Sequence, residues 1–189
     1  MSSCIPYINI IVIQNTNWCE LLIISMIKIL IITMKIRKLQ EKDIGKIVAI
    51  IHDVMGPTDA KKALEDMRIS LDPEAKVPYK FEEFYVIEVE DEIVAAGGFW
   101  SLKYDPAIAR LDWFVVPQKY QRKGFGNILM NFIIGRAKKR GLKLVLAETS
   151  DKYITAVNFF KKYGFVTAAN IPNYWEDGSG VVYLVRRLK

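Results

Sequence analysis

The sequence predicts an α/β domain with a mixed central sheet flanked by helices, on three grounds. Runs rich in valine, isoleucine and aromatic residues alternate with stretches whose apolar positions recur at helical spacing. A polar turn at Glu90, Asp91 and Glu92 joins two of those runs as a hairpin. In the second half a single helix lies between two strand-like runs, the order of a strand-helix-strand crossover. With 189 residues, 51% of them hydrophobic and 25% charged, the chain can bury one full core and is too short for two ordinary domains.

The elements follow from Met34 onward. MKIRKL reads as a short strand, and a helix begins near Asp43 with Ile44, Ile47, Val48 and Ile51 on one face. Gly56 and Pro57 end that helix. A second helix is expected from Asp59 to Leu71, closed by Asp72 and Pro73. FYVIEVEDEIVAAGGFWSL supplies the hairpin, and Gly97 with Gly98 marks a bulge or a close backbone approach in its second strand. After a loop from Lys103 to Pro106, RLDWFVV is the next strand. A glycine-punctuated turn then enters a helix from Phe125 to Arg140, with Ile128, Leu129, Phe132 and Ile133 as its apolar stripe and Gly141 as its cap. LKLVLAET is a strand, Ile154 to Tyr163 a helix stopped by Gly164, and FVTAAN and VVYLVRRL are the last two strands.

Composition excludes several chemistries. Both cysteines, Cys4 and Cys19, lie in the first 33 residues, so the rest of the chain can form neither a disulfide nor a thiolate metal site. His52 is the only histidine, which argues against histidine triads and zinc clusters, and it reads as a structural or surface residue. No metal is expected. The net charge is +6. Arg136, Lys138, Lys139 and Arg140 read as a solvated helix face, while a basic balance also suits an anionic ligand, whether nucleic acid or a phosphorylated cofactor.

Residues 1–33 differ in kind, being about one-third isoleucine with Glu20 and Lys28 as their only charges. No basic residue precedes Lys28, as a signal peptide would require. The apolar run from Leu21 to Met34 is interrupted by Lys28 and falls short of the ~20 residues of a spanning helix. Three readings stand: an extension from an upstream start codon with Met34 as the natural start, an added strand or helix on the domain, or a membrane anchor. The first is preferred, and a cytoplasmic protein is expected.

The stretch that carries chemistry is FVVPQKYQRKGFGNILM, a buried strand running through a turn with Gly124 and Gly126 into an amphipathic helix. Neither glycine has a side chain to block a phosphate, the first N–H groups and the positive end of the helix dipole point at the turn, and Arg122 and Lys123 add positive charge. The lysine and following serine or threonine of a P-loop are missing, and the glycine spacing is not that of a dinucleotide fingerprint.

QRKGFG, a glutamine followed after two residues by glycine and after one more by a second glycine, resembles the signature of the GNAT (GCN5-related) N-acetyltransferase superfamily. Thirty residues on, AVNFFKKYGF is similar to that family's other recurrent segment. The resemblance covers residues 34–189. It implies a splayed central sheet, a strand at Trp113 to Val116 whose backbone at Phe114, Val115 and Val116 pairs with the pantetheine arm of acetyl-CoA, and a pyrophosphate held by Gln121, Arg122, Lys123, Gly124, Phe125 and Gly126. Asn158, Phe160 and Lys162 fall where members often touch the co-substrate; Asn158 and Lys162 read equally well as exposed helical residues.

The same resemblance places Glu148 where some ribosomal-protein N-terminal acetyltransferases keep a catalytic glutamate. A carboxylate there could take the proton of an acceptor ammonium, since only a neutral amine attacks a thioester; Asp112 is the reserve, and a structural role for Glu148 is the competing reading. Phe160 departs from the pattern, standing where many members carry a tyrosine that protonates the leaving thiolate. Tyr153 and Tyr163 are near in sequence, and either can simply pack. A coenzyme A thiolate, from a thiol with a pKa near the ~8.5 of cysteine, is a tolerable leaving group without a dedicated acid. Tyr174 and Trp175 precede the last strand and read as lining an acceptor site or as covering a sheet edge.

The expected activity is transfer of an acetyl group from acetyl-CoA to a primary amine of a small molecule or a protein N-terminus, by direct attack; the absence of cysteine after Cys19 argues against an acyl-cysteine intermediate. Two other classes stay open: an acyl-CoA-binding module without turnover, motivated by Phe160, and a nucleic-acid binder, disfavoured by the lack of aromatics interleaved with the basic residues. Neither nucleic acid nor membrane is an expected partner.

Overall fold

The computed structural model describes residues 34–72, 74, 75 and 79–189, and the expectations for residues 1–33 and for Pro73 lie outside them. Seven strands form one sheet: β1 (Met34–Lys38), β2 (Tyr79–Val89), β3 (Glu92–Leu102), β4 (Ile108–Val115), β5 (Leu144–Ser150), β6 (Val166–Ile171) and β7 (Val181–Arg187). Their spatial order is β1-β2-β3-β4-β5-β7-β6. Only β4 and β5 run parallel, joined by the crossover helix α3 (Phe125–Lys139); every other neighbouring pair is antiparallel. Helices α1 (Glu41–Met55) and α2 (Pro57–Leu71) follow β1, and α4 (Ile154–Lys162) follows β5. This is the mixed sheet flanked by helices that the sequence predicts. No helix among the described residues is long and apolar enough to cross a membrane.

The helices cover the two sheet faces separately. Ile44, Ile47 and Ile51 of α1 and Ala60, Ala63 and Met67 of α2 bury against Phe84, Val86, Ala96 and Val115. On the opposite face, α3 and α4 bury against Tyr85, Ile87, Ala95, Phe99, Ala109, Val145 and Ala147. Each fully buried aliphatic side chain contributes roughly 1.5–3 kcal/mol, so these two layers hold the sheet between them. The stripe of α3 is wider than expected: Leu129 and Ile133 are fully buried, Met130, Ile134 and Ala137 join them, and Ile128 and Phe132 lie at its margin.

The hairpin turns on Glu90 and Asp91, both with positive φ (50° and 63°), the two-residue turn whose twist matches antiparallel strands. Strand β2 begins at Tyr79, ahead of the apolar run that starts at Phe84, because Glu82 and Glu83 are strand residues with partners. Glu83 is buried beneath α3, where Arg136 donates to both carboxylate oxygens at 2.9 Å, Arg140 Nε donates at 2.6 Å and the Tyr85 hydroxyl at 2.6 Å. Arg136 and Arg140 keep part of the solvated face their sequence context suggests, with side chains 33% and 45% exposed, and their heads anchor α3 to β2 as well. Burial alone would raise the Glu83 carboxyl, but the hydrogen bonds from Arg136, Tyr85 and Arg140 outweigh it and hold it down at about 2. Helix α1 starts two residues earlier than expected, at Glu41, because the Asp43 carboxylate accepts the Gln40 N–H at 2.9 Å and caps the first turn while gripping Arg37.

Candidate active site

The sheet parts between its two parallel strands. β4 and β5 pair only over Ile108–Arg110 and Leu144–Leu146, although β4 continues to Val115 and β5 to Ser150. A bulge drives them apart: between Ala96 and Gly98 the β3–β4 register slips, and Trp113 takes a φ of 34°. Gly97 and Gly98 make room for it. A Cβ on Gly97 would stand 3.0 Å from the Phe114 Cα, and one on Gly98 would stand 2.4 Å from the Glu83 carbonyl oxygen. The edge of β4 from Leu111 to Val115 thus faces an opening with no strand partner, and its backbone groups are free to pair with an extended ligand arm.

The opening ends at the turn before α3. Gln118–Tyr120 form one 3-10 turn, which takes up the Gln121 N–H on the Gln118 carbonyl at 3.2 Å, while the Gln121 side chain donates to the Val116 carbonyl at 3.2 Å. Gln121 therefore shapes the turn, and its backbone donor is occupied. Arg122 and Gly124 both have positive φ (60° and 90°), which turns the chain so that α3 starts at Phe125 with its first N–H groups unpaired within the helix. The chemistry of that donor set suits a pyrophosphate. Lys123 Nζ lies 5.4 Å from the Tyr120 ring centroid, beside the same turn.

Helix α4 closes the other side. A Cβ on Gly126 would lie 3.6 Å from both Phe159 and Val116, and the Phe114 ring centroid lies 5.5 Å from that of Phe159, tilted, and 6.4 Å from that of Phe160, edge-on. Phe160 is buried and packs on Phe165. Tyr163 donates to the Asn127 carbonyl at 3.3 Å, tying α4 to the first turn of α3, and burial raises its hydroxyl. Tyr153, at the start of α4, points its hydroxyl to the Met55 carbonyl at 3.5 Å, at the end of α1. Asn158 lies on another side of the helix, lining a cleft of about 390 Å³ with Asp151, Thr167 and Asn170, and Lys162 is exposed. The inward contacts of α4 are Phe159 and Phe160, the aromatic pair of AVNFFKKYGF.

Strand alternation puts a polar cluster on one face at the mouth of the opening. Glu82, Trp100, Arg110, Asp112, Glu148 and Tyr183 share the face that α1 and α2 cover farther along. Arg110 Nη2 donates to Glu148 Oε2 at 2.5 Å, and the guanidinium lies 5.8 Å from the Trp100 ring. Asp112 is held well above the usual carboxylate range, first by burial and then by the adjacent Glu82, whose own carboxyl burial also raises. Two carboxyls so placed titrate as a unit and tend to keep one proton between them. Tyr79 donates to Glu82 at 2.7 Å, and Trp113 Nε1 donates to Asp66 of α2 at 3.1 Å. Over the mouth, the β6–β7 loop brings Trp175 to within 5.7 Å of Lys62 Nζ on α2, so the loop aromatics face α2 rather than only a sheet edge. His52 sits on the surface of α1. Among the described residues no group of three or more histidines, cysteines or carboxylates is arranged to hold a metal.

The chain belongs to the acetyltransferase (GNAT) family, whose model matches residues 48–165. It is 27% identical over 120 residues to the L-ornithine N5-acetyltransferase NATA1 of Arabidopsis thaliana, a match covering 60% of this chain and 50% of that protein. The chain therefore spans about half the length of the curated relative it matches. Among solved structures it is similar to Ard1 from Thermoplasma volcanium, with a TM-score of 0.68, 27% identity and coverage of 82% of this chain and 98% of that one. It is also similar in fold to the ribosomal-protein-S18-alanine N-acetyltransferase from Escherichia coli, with a TM-score of 0.67, 19% identity and coverage of 82% and 94%.

Proposed function

We propose that this chain moves an acetyl group from acetyl-CoA to a primary amine, of a small molecule or of a polypeptide N-terminus, by direct attack of the amine on the thioester. The observation that carries this reading is the opening between β4 and β5, with free anion-binding donors at one end and the Glu148 carboxylate at the other. Acetyl-CoA supplies the activated acyl group. The turn from Arg122 to Gly126 holds its pyrophosphate, and the open edge of β4 at Phe114 and Val115 aligns its pantetheine arm, so that the thioester reaches the polar cluster. Phe159 and Phe160 form the apolar wall beside it.

Glu148 takes the proton of the acceptor ammonium. Its carboxylate is fixed by Arg110, which lowers the cost of orienting it in a half-buried place. Asp112, beside Glu82, is the second candidate base. The carboxylates of this face favour a cationic acceptor, and the ornithine acceptor named for the Arabidopsis relative is an amine of that kind. We favour a small molecule over a peptide. The test is thiol release from acetyl-CoA in the presence of polyamines, amino acids, aminoglycosides or peptides with free N-termini. Release with one class identifies the acceptor; coenzyme A binding without release from any of them leaves a binding module.

A further inference from the structure

We propose that Glu92 is a positioning residue for coenzyme A, holding from the β2–β3 hairpin the turn that receives the pyrophosphate. The inference rests on the pyrophosphate lying at Arg122 to Gly126, as proposed above, and adds to that site a residue from another part of the sheet.

The turn has little of its own to hold it. Strand β4 ends at Val115, opposite Ala96, while β3 extends four residues past that pair, to Glu92. A cavity of about 690 Å³, lined by Ile50, Val54, Ile93, Pro117 and Gln118, lies between α1 and the turn, so packing does not fix that side. The Gln121 amide reaches no farther than the Val116 carbonyl. Glu92 supplies the missing tie: its carboxylate accepts from Lys119 Nζ at 2.7 Å and from the Tyr120 hydroxyl. Among the described residues these are the only side-chain hydrogen bonds from residues 118–124 to another strand. The anchor is itself well held, since Glu92 pairs with Val89 across the hairpin and the next residue, Ile93, is buried.

The tie reaches the anion site through the Tyr120 ring. Lys119 Nζ lies 4.9 Å and Lys123 Nζ 5.4 Å from its centroid, and Phe125, the first residue of α3, meets it edge-on at 5.8 Å. A hydroxyl fixed at Glu92 therefore fixes the ring against which Lys123 and the start of α3 are set. Donors ordered in advance bind an anion without the entropy cost of ordering them on binding. An exposed ion pair adds little to the stability of a fold, so the effect of Glu92 falls on the local order of the turn. The sign of that effect separates it from bare electrostatics. Through space alone, a carboxylate near a phosphate site repels the ligand, and its removal would tighten binding. Removal of a positioning residue weakens it.

The experiment is a calorimetric titration of the full chain with coenzyme A, which needs no acceptor. Glu92→Ala should raise Kd roughly three- to tenfold, the scale of one hydrogen bond, with cooperative thermal unfolding retained. Glu92→Gln, which keeps an oxygen for the Tyr120 hydroxyl, should recover most of that affinity. Tyr120→Phe should weaken binding by a similar factor, and the Glu92→Ala/Tyr120→Phe double variant no more than the worse single one, because both remove the same bond. With an amine from the thiol-release screen, Glu92→Ala should raise KM for acetyl-CoA and leave kcat at saturation unchanged. Unchanged or tighter affinity in Glu92→Ala, no recovery in Glu92→Gln, or additive losses in the double variant overturns the role of Glu92 alone. A wild-type chain that binds no coenzyme A overturns the pyrophosphate site, and the role of Glu92 with it.

Discussion

Arg110 donates to Glu148 one strand away, just past the last backbone pair that β4 makes with β5, so the ion pair spans the point where the sheet begins to open. The same guanidinium lies over Trp100 on β3. A carboxylate at the mouth of a gap has few backbone neighbours to hold it, and Arg110 takes that part.

Glu148→Gln keeps the size of the side chain and removes the basic carboxylate. Turnover is expected to fall by the ~10²–10⁴ typical of a general base, while coenzyme A affinity, read by calorimetry, stays within a factor of about three. Full activity in this variant moves the base to Asp112.

The tyrosines near α4 should matter less. Tyr153 reaches the Met55 carbonyl only at 3.5 Å and Tyr163 the Asn127 carbonyl at 3.3 Å, both long for hydroxyl hydrogen bonds. Tyr153→Phe and Tyr163→Phe should each cost under about 1 kcal/mol of stability and less activity than Glu148→Gln. A dead Tyr163→Phe with normal thermal unfolding would make it the acid.

Binding at the turn can be separated from folding by two glycines. Gly124 has a φ of 90°, so Gly124→Ala carries a backbone strain of about 1 kcal/mol. Gly126 has room for a Cβ, 3.6 Å from Phe159 and Val116, but for little more. Gly126→Ala should keep both fold and affinity, whereas Gly126→Val should lose coenzyme A binding with cooperative unfolding intact. Equal calorimetric affinity in the two variants would remove the turn from the site.

Glu83 makes the fold acid-sensitive. Its carboxyl sits at about 2 in the folded chain against an ordinary 4.5, so its contribution is complete above about 4.5 and is lost as pH falls toward 2. That shift corresponds to a contribution on the order of 3 kcal/mol. Urea midpoints measured between pH 7 and about 2.5 should fall across this window, and Glu83→Gln should be destabilised at pH 7 and flatter with pH. A Glu83→Gln curve parallel to wild type would assign the acid loss elsewhere.

A chain starting at Met34 is expected to fold and keep coenzyme A affinity, because β1 begins there and pairs with β2 from Met34 to Lys38. Thermal unfolding that loses its cooperativity on this truncation would show that residues 1–33 complete the core.

Most elements are legible in the sequence because their signals are local. The period of Ile44, Ile47 and Ile51 names a helix, the polar pair at Glu90 and Asp91 names a hairpin, and two glycines at the head of an amphipathic helix name the turn that starts it; each depends on residues within one or two turns of one another. Glu83 is the exception: a carboxylate in a strand reads as an edge or a loop until its two arginines, 53 and 57 residues away, are brought to it. The mouth of the site is similarly hidden. Glu82, Arg110, Asp112, Glu148 and Tyr183 come from four strands, and only strand order and register put them on one face, since a slip of one residue would turn any strand's set to the other side. Local pattern is therefore enough to locate the strands and helices and the glycine turn before α3. Where β4 leaves β5, after Arg110, is settled only by packing, because the bulge opposite Gly97 depends on how two strands fit and has no expression in either alone.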